Sequence, residues 1–185
     1  MKKLNARHWS VSVVIAITAG LTLFSVSEPG WAQQKCKRSG SYLPQDSKFT
    51  QQHVIDVGDL PGHQIRILEV HRTPSNAKPN CEGLKVVETW NRGYSDYIDI
   101  NGRAWGYSVF ILENGDKIFA QWSGTTQTVF NPDGSKTNSY SGVYTLTGGT
   151  GKYRGVHGLR RELSTFDPIT GFNESRWDEE YWIEQ

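Results

Sequence analysis

The chain has 185 residues, with 20 basic and 19 acidic side chains and a formal net charge of +1 at pH 7. This balance lacks the basic excess with which proteins bind phosphates, and it argues against a nucleic-acid partner. The length is that of about one domain, large enough to bury its own hydrophobic core.

The first 32 residues are typical of an export signal. Basic residues within the first seven positions precede an uncharged run over residues 11–26, and the small residues Gly30 and Ala32 follow it. These are the three parts of a secretory signal, so we predict cleavage after Ala32 and a secreted or periplasmic protein. The alternative is an uncleaved anchor, which the run disfavours because it is shorter than the about 20 residues that span a bilayer. No membrane span is predicted after cleavage.

Residues 33–50 are polar and lack a periodic pattern, and we predict them to be an N-terminal arm preceding a domain over residues 51–185. Both cysteines, Cys36 and Cys81, fall in the exported part of the chain. An even pair in an oxidising compartment predicts a disulfide. The link would tie the arm to the domain and stabilise the fold by a few kcal/mol.

From residue 52 onward, period-two patterns alternate with turn residues, and no stretch has helical periodicity. Asn-Gly pairs at 101–102 and 114–115 supply the positive φ that tight hairpins require. The predicted strands are residues 53–57, 63–72, 84–91, 96–100, 104–112, 117–129, 139–147, 159–166 and 173–183. Because closure buries one face and hides the edges, we predict a closed antiparallel β-barrel of about eight strands, with a two-sheet sandwich as the rival.

Alternate residues of these strands place seven aromatic side chains on the faces that we predict to point inward. A cavity lined by such rings would hold a flat or lipid-like ligand. The alternative is that the rings simply fill the barrel. The predicted ligand-binding residues are Trp90, Trp105, Tyr107, Trp122, Tyr144, Trp177 and Tyr181.

Three glutamates, Glu69, Glu88 and Glu179, interrupt the same predicted faces. An unpaired carboxylate in apolar surroundings has a raised pKa and can donate or accept a proton in catalysis. Glu88 and Glu179 are therefore the candidate catalytic residues if the protein is an enzyme. A structural role is favoured for each glutamate, and a predicted hairpin places Arg161 within cross-strand reach of Glu179.

The most specific motif is Thr-Gly-Gly-Thr-Gly-Lys-Tyr-Arg-Gly-Val-His-Gly over residues 147–158. It resembles the Gly-Gly-Thr-Gly-x-aromatic-x-x-x-x-Gly signature of the allene oxide cyclase and dirigent barrels, and the resemblance covers residues 104–166. The resemblance implies a β-barrel with an apolar cavity and the isomerisation or cyclisation of a lipid-derived or phenolic intermediate. Lys152 and His157 stand where dirigent proteins carry an acid and an arginine. The motif therefore supports the fold rather than dirigent chemistry, and it favours a bacterial secreted relative.

We predict no cofactor and no metal site, because the histidines after residue 32 show no short spacing and the cysteines are assigned to a disulfide. The sequence favours an extracytoplasmic barrel that binds a small hydrophobic molecule without catalysis, and it is compatible with an oligomer. One alternative is a cyclase or isomerase that uses Glu88 or Glu179 in the same cavity. Another is a protein-interaction module with a filled barrel.

Overall fold

The computed structural model describes residues 35–184, and the predicted export signal over residues 1–32 lies outside this range. The described residues form antiparallel strands and two 3-10 turns at Pro44–Asp46 and Gly151–Tyr153, so the all-β prediction is confirmed. The strands are β1 (Cys36–Tyr42), β2 (Ser47–Asp56), β3 (His63–Arg72), β4 (Val86–Ile98), β5 (Asn101–Leu112), β6 (Lys117–Phe130), β7 (Lys136–Gly149), β8 (Val156–Phe166) and β9 (Asn173–Ile183). Across the described part of the chain, no helix is long and apolar enough to cross a membrane.

All nine strands belong to one sheet in the order β1-β9-β8-β7-β6-β5-β4-β3-β2. β1 and β2 are thus the two edges of the sheet, although only a short turn separates them in the chain. A hydrogen bond of 2.8 Å from Arg72 on β3 to Glu162 on β8 shows that the sheet curls around a common interior. Within residues 35–184 the two edges are not joined by a ladder of hydrogen bonds, so the sheet is not closed in the way that we predicted.

The N-terminal segment differs most from the prediction, because the predicted arm contains β1 and the start of β2. β1 pairs along its length with β9, from Cys36 opposite Tyr181 to Tyr42 opposite Ser175. Its inner face is partly polar, and Arg38 lies 3.3 Å from the Glu179 carboxylate. Because the interior beside β1 contains charged side chains, the inward-facing residues of β1 are not all apolar. The sequence of β1 therefore shows no apolar alternation.

The hairpin between β4 and β5 also differs, since β4 merges two predicted strands and runs to Ile98. Its turn residues are Asp99 and Ile100, with φ values of 50° and 67°, rather than the predicted Asn-Gly pair. A β-branched residue with positive φ is strained. Asn101 and Thr128 hold this turn by donating hydrogen bonds of 3.0 and 3.1 Å to the carbonyl oxygen of Asp99.

The hydrophobic core is largest at one end of the interior, which we call the disulfide end, and it extends toward the other end through Tyr97, Ala104, Trp122 and Tyr144. The loop over residues 73–85 crosses this end, and the predicted disulfide between Cys36 and Cys81 is confirmed there. Asn80 in the same loop donates a hydrogen bond of 2.6 Å to the Tyr153 hydroxyl. The core side chains include Val86, Phe110, Leu112, Ile118, Leu146, Tyr153, Val156 and Tyr181. We call the opposite end the mouth; the turns over residues 57–62, 99–100, 131–135 and 167–172 lie there.

Candidate functional site

The interior near the mouth contains a cavity of about 80 Å³. Since a single water needs about 10–15 Å³ on this scale, the cavity exceeds the room for a water or two. Inward-facing residues of β3, β4, β6, β7 and β8 form most of its wall. Those on which the chemistry of the site depends are Arg66, Arg72, Asn91, Trp122, Tyr140, Tyr144 and Glu162.

Three of these side chains, Trp122, Tyr140 and Tyr144, form what we call the aromatic wall. The centroid of the Trp122 ring lies 6.1 Å from that of each tyrosine, edge-on to Tyr140 and tilted against Tyr144. Such spacings are favourable for aromatic pairs. Gly93 and Gly106 are opposite each other on β4 and β5, and a Cβ on either would collide with the Trp122 ring. The glycines thus leave the space in which the ring lies against the sheet.

Charged side chains also lie in the interior, and sequence reasoning missed most of them. Arg72 donates to Glu162 at 2.8 Å, and both side chains are at most 5% exposed. Closer to the disulfide end, Arg160 donates to Glu179 at 2.8 Å and is equally buried. The available signal was the alternation of Gly158, Arg160, Glu162 and Ser164 along β8, which puts all four on one face. Apolar residues on the other face of β8 concealed this pattern.

Six buried polar atoms of cavity-lining residues have no hydrogen-bond partner within residues 35–184. An unsatisfied buried polar atom costs about 1–3 kcal/mol, so buried groups of this kind are normally paired with protein, water or ligand. The six atoms are Arg66 Nε, Arg72 Nε, Asn91 Nδ2, Trp122 Nε1, Tyr140 Oη and Glu162 Oε2. All six belong to residues that line the cavity, which makes the cavity the first place to look for a partner from outside the chain.

The two tyrosines of the aromatic wall carry protonated hydroxyls. Burial raises the pKa of the Tyr144 phenol well above its ordinary value of 10.0, and the Glu162 carboxylate raises it further. The same two causes, in the same order, raise the pKa of Tyr140. Both hydroxyls therefore remain neutral near pH 7 and are able to donate hydrogen bonds.

The seven predicted ligand-binding aromatics divide between the two faces of the sheet. Trp122 and Tyr144 line the cavity. Tyr181 is buried in the core at the disulfide end, and Trp177 lies inside against the Arg160 guanidinium, at 4.2 Å from its ring centroid.

The other three lie on the outer face. Trp105 and Tyr107 are 44% and 59% exposed, and Trp90 stacks on His71 with ring centroids 4.1 Å apart. The inner positions beside them on β5 are Gly106 and Ser108. The inward orientation predicted for Trp90, Trp105 and Tyr107 is therefore wrong, because small and polar residues face inward on these strands.

The three predicted glutamates do not lie together. Glu69 accepts a hydrogen bond of 2.6 Å from Arg92 on the outer face. Glu88 follows a bulge in β4, is about 42% exposed, and accepts a hydrogen bond of 3.1 Å from Trp90 Nε1. Neither Glu88 nor Glu179 lines the cavity, whereas Glu162, which the prediction omitted, does.

The ion pair predicted for Glu179 exists with a different arginine. Arg160, rather than Arg161, stands opposite Glu179 in the register of β8 and β9. Arg161 points outward, where it pairs with Asp178 at 3.2 Å. A one-residue error in register exchanges the two faces of a strand, which is the physical reason for the wrong partner.

A larger space of about 870 Å³ runs along β1 and the middle of β6 to β9. Its wall includes the consecutive residues Arg161, Glu162 and Leu163. Consecutive strand residues point to opposite faces, so this space follows the backbone on both sides of the sheet rather than forming one interior chamber. The smaller cavity at the mouth is the better-defined candidate site.

No protein-family model matches the sequence, and no curated protein matches it significantly. Among solved structures, the chain is similar to the pterocarpan synthase dirigent protein GePTS1. The alignment covers 83% of this chain and 88% of that chain, with a TM-score of 0.42 and 11% sequence identity. This neighbour comes from one of the two families that residues 147–158 resemble. The bacterial origin favoured by the sequence stays a prediction.

Proposed function

We propose that the protein binds a small ring-containing molecule in the cavity at the mouth and acts as a non-enzymatic binding protein outside the cytoplasm. The observation that carries this proposal is the aromatic wall of Trp122, Tyr140 and Tyr144 beside a space of about 80 Å³. An apolar cavity of about 150 Å³ holds benzene, so a ring-containing ligand would widen this space or extend out of it. Ring faces held against the sheet by glycines provide a flat, rigid surface for a flat ligand. The disulfide supports an oxidising compartment.

Binding without catalysis is the simpler use of this geometry. The Glu179 carboxylate is held by Arg160 and Arg38, and Glu88 is outside the cavity. The only carboxylate that lines the cavity within the described residues is Glu162, and Arg72 already neutralises it. A cyclase or isomerase in this cavity would therefore depend on Glu162.

The experiment that tests the proposal is mass spectrometry of the compounds that co-purify with the natively produced protein, compared between two variants. Trp122→Phe removes part of the aromatic wall while keeping an apolar ring, and Trp105→Phe is the matched change on the outer face. We expect stoichiometric retention of a ring compound by the parent protein and by Trp105→Phe, and a loss of several-fold in Trp122→Phe. Equal retention of the ring compound by both variants would show that it binds outside the cavity at the mouth.

A protein-interaction module remains a second candidate, because the outer face of β3 to β5 exposes apolar side chains. Ile65 and Ile67 are 44% and 50% exposed, and the Tyr94 and Trp105 rings stack beside them at 5.9 Å. Exposed apolar surface of this kind is typical of interaction sites. A Trp105→Ser variant that loses association with a partner in ultracentrifugation, yet retains ligand, would support this candidate.

A further inference from the structure

The unpaired atoms of the cavity are strongly biased toward hydrogen-bond donors. The nitrogens of Trp122, Asn91, Arg66 and Arg72 can only donate, and the neutral Tyr140 hydroxyl is a donor as well. Glu162 Oε2 is the single obligate acceptor among the six atoms. A ligand that satisfies this set must therefore present several acceptor oxygens and one hydroxyl or amine hydrogen.

The charges around the cavity also favour a ligand with acceptor oxygens. Arg66 and Arg72 line it together with one carboxylate, that of Glu162. Glu162 pairs with Arg72, whereas Arg66 has no carboxylate within 4.0 Å among residues 35–184. Arg66 donates from Nη2 to Gln64 at 2.6 Å, and its Nε is buried without a hydrogen-bond partner within residues 35–184. The cavity thus has an uncompensated positive charge at its mouth.

We infer that the ligand is a small aromatic carboxylic acid bearing a hydroxyl group. Its carboxylate would be held by Arg66 with help from the neighbouring donors, its ring would lie on the aromatic wall, and its hydroxyl would donate to Glu162 Oε2. This assignment of the ligand class rests on the proposed function. An anionic oxygen paired with a guanidinium makes a charge-assisted hydrogen bond, which is stronger than a neutral one.

Three probes test this assignment by calorimetry at pH 7: 4-hydroxybenzoate, its neutral isostere 4-hydroxybenzamide, and phenol, which lacks the carboxyl group. The Trp122 indole N–H signal in the NMR spectrum reports whether a probe binds in the cavity. We expect the acid to bind about tenfold to a hundredfold more tightly than the amide. Arg66→Met should reduce the affinity for the acid to that for the amide and leave phenol binding unchanged. Arg66→Lys should restore part of the preference.

Arg103→Met is the matched control, because Arg103 lies on the exposed face of β5. It should leave all three affinities unchanged, and thermal melts establish that each variant is folded. If the amide binds as tightly as the acid, or if Arg66→Met leaves the preference intact, the inference is overturned while the proposed function stands. If none of the three probes binds or shifts the Trp122 signal, both are overturned.

Discussion

The two ends of the interior are built from the same strands but are packed differently. At the disulfide end, Glu179 lies between Arg160 and Arg38, and the Tyr153 hydroxyl accepts a hydrogen bond from Asn80. At the mouth, Arg66 and Trp122 each leave a buried nitrogen without a partner in the described chain. Arg160 Nη1 and Trp177 Nε1 near the disulfide end are also unpaired within the described residues, so the ends differ by the disulfide and the larger core at one and the cavity at the other.

This difference in packing determines how much each end contributes to the stability of the fold. The hydrophobic core and the disulfide are concentrated at one end, so the mouth contributes less to holding the fold together. The strained turn at Asp99 and Ile100 is therefore tolerated there. Functional sites are commonly the places where local rules of stability are broken.

The largest expected effect comes from breaking the ion pair at the disulfide end. Glu179→Gln leaves the charges of Arg160 and Arg38 uncompensated, and Arg160 is only 2% exposed. Removing one partner of a buried pair costs about 3–5 kcal/mol. We expect a loss of that size in the free energy of unfolding in urea. The preference for 4-hydroxybenzoate over 4-hydroxybenzamide should not change if the variant is studied well below its melting temperature.

Asp178→Asn is the matched control, because Asp178 pairs with Arg161 on the exposed face of the same two strands. An exposed pair contributes about 0–1 kcal/mol. Equal losses from the two substitutions would contradict the structural role that we assign to Glu179.

The sequence predicted the architecture better than the site, and β5 shows why. Hydrophobic alternation selects Trp105 and Tyr107 as inward, but the inner face of β5 carries Gly106 and Ser108. The volume beside Gly106 is filled by Trp122 from the neighbouring strand. The ring that fills this space comes from β6, so the sequence of β5 does not show it. The pattern of β5 alone therefore selects the wrong face.

On other strands the hydrophobic pattern correctly predicted the bounds or the inward-facing residues. The bounds of β3 and β9 match the predicted ranges, and Trp122 and Tyr144 point inward as predicted. The Arg72–Glu162 pair could not be predicted, because it joins strands that are not neighbours in the sheet. Contacts across a curled interior depend on how the sheet curls, which local patterns do not specify.

A smaller effect is expected from filling the space under the Trp122 ring. In Gly106→Ala the new methyl meets that ring and the backbone oxygen of Arg92. Overpacking of this kind costs about 1–3 kcal/mol, and the displaced ring should also narrow the cavity. We expect a lower free energy of unfolding together with weaker binding of phenol by calorimetry.

Gly40→Ala separates the loss of stability from the weaker binding of phenol. Gly40 lies under the Trp177 ring, which is inside the sheet but does not line the cavity. Because the atoms nearest to the new methyl belong to the Trp177 side chain and not to the backbone, this variant should lose less stability than Gly106→Ala and bind phenol normally. If both variants bind alike, the aromatic wall is not part of the ligand site.

The smallest expected effect concerns a pH-dependent contact at the hairpin between β2 and β3. The ring of His63 contacts Asp96 at 2.9 Å and Asp59 at 2.5 Å. Hydrogen bonds to Asp96 first and Asp59 second raise the pKa of His63 above its ordinary value of 6.5. The folded state thus binds the proton more tightly than the unfolded chain. The stabilisation of the hairpin is complete below pH 6.5 and is lost as the pH rises through the raised pKa of the folded state.

NMR titration of the His63 ring measures this contact directly. Asp96→Asn should lower the pKa of His63 toward 6.5, and Asp59→Asn should lower it by a smaller amount, following the order of the two causes. Ligand affinity should not change in either variant, since neither aspartate lines the cavity. A change in affinity on Asp96→Asn would show that the hairpin and the cavity are coupled. An unchanged affinity confines the binding role to the interior face, where the unpaired donors are.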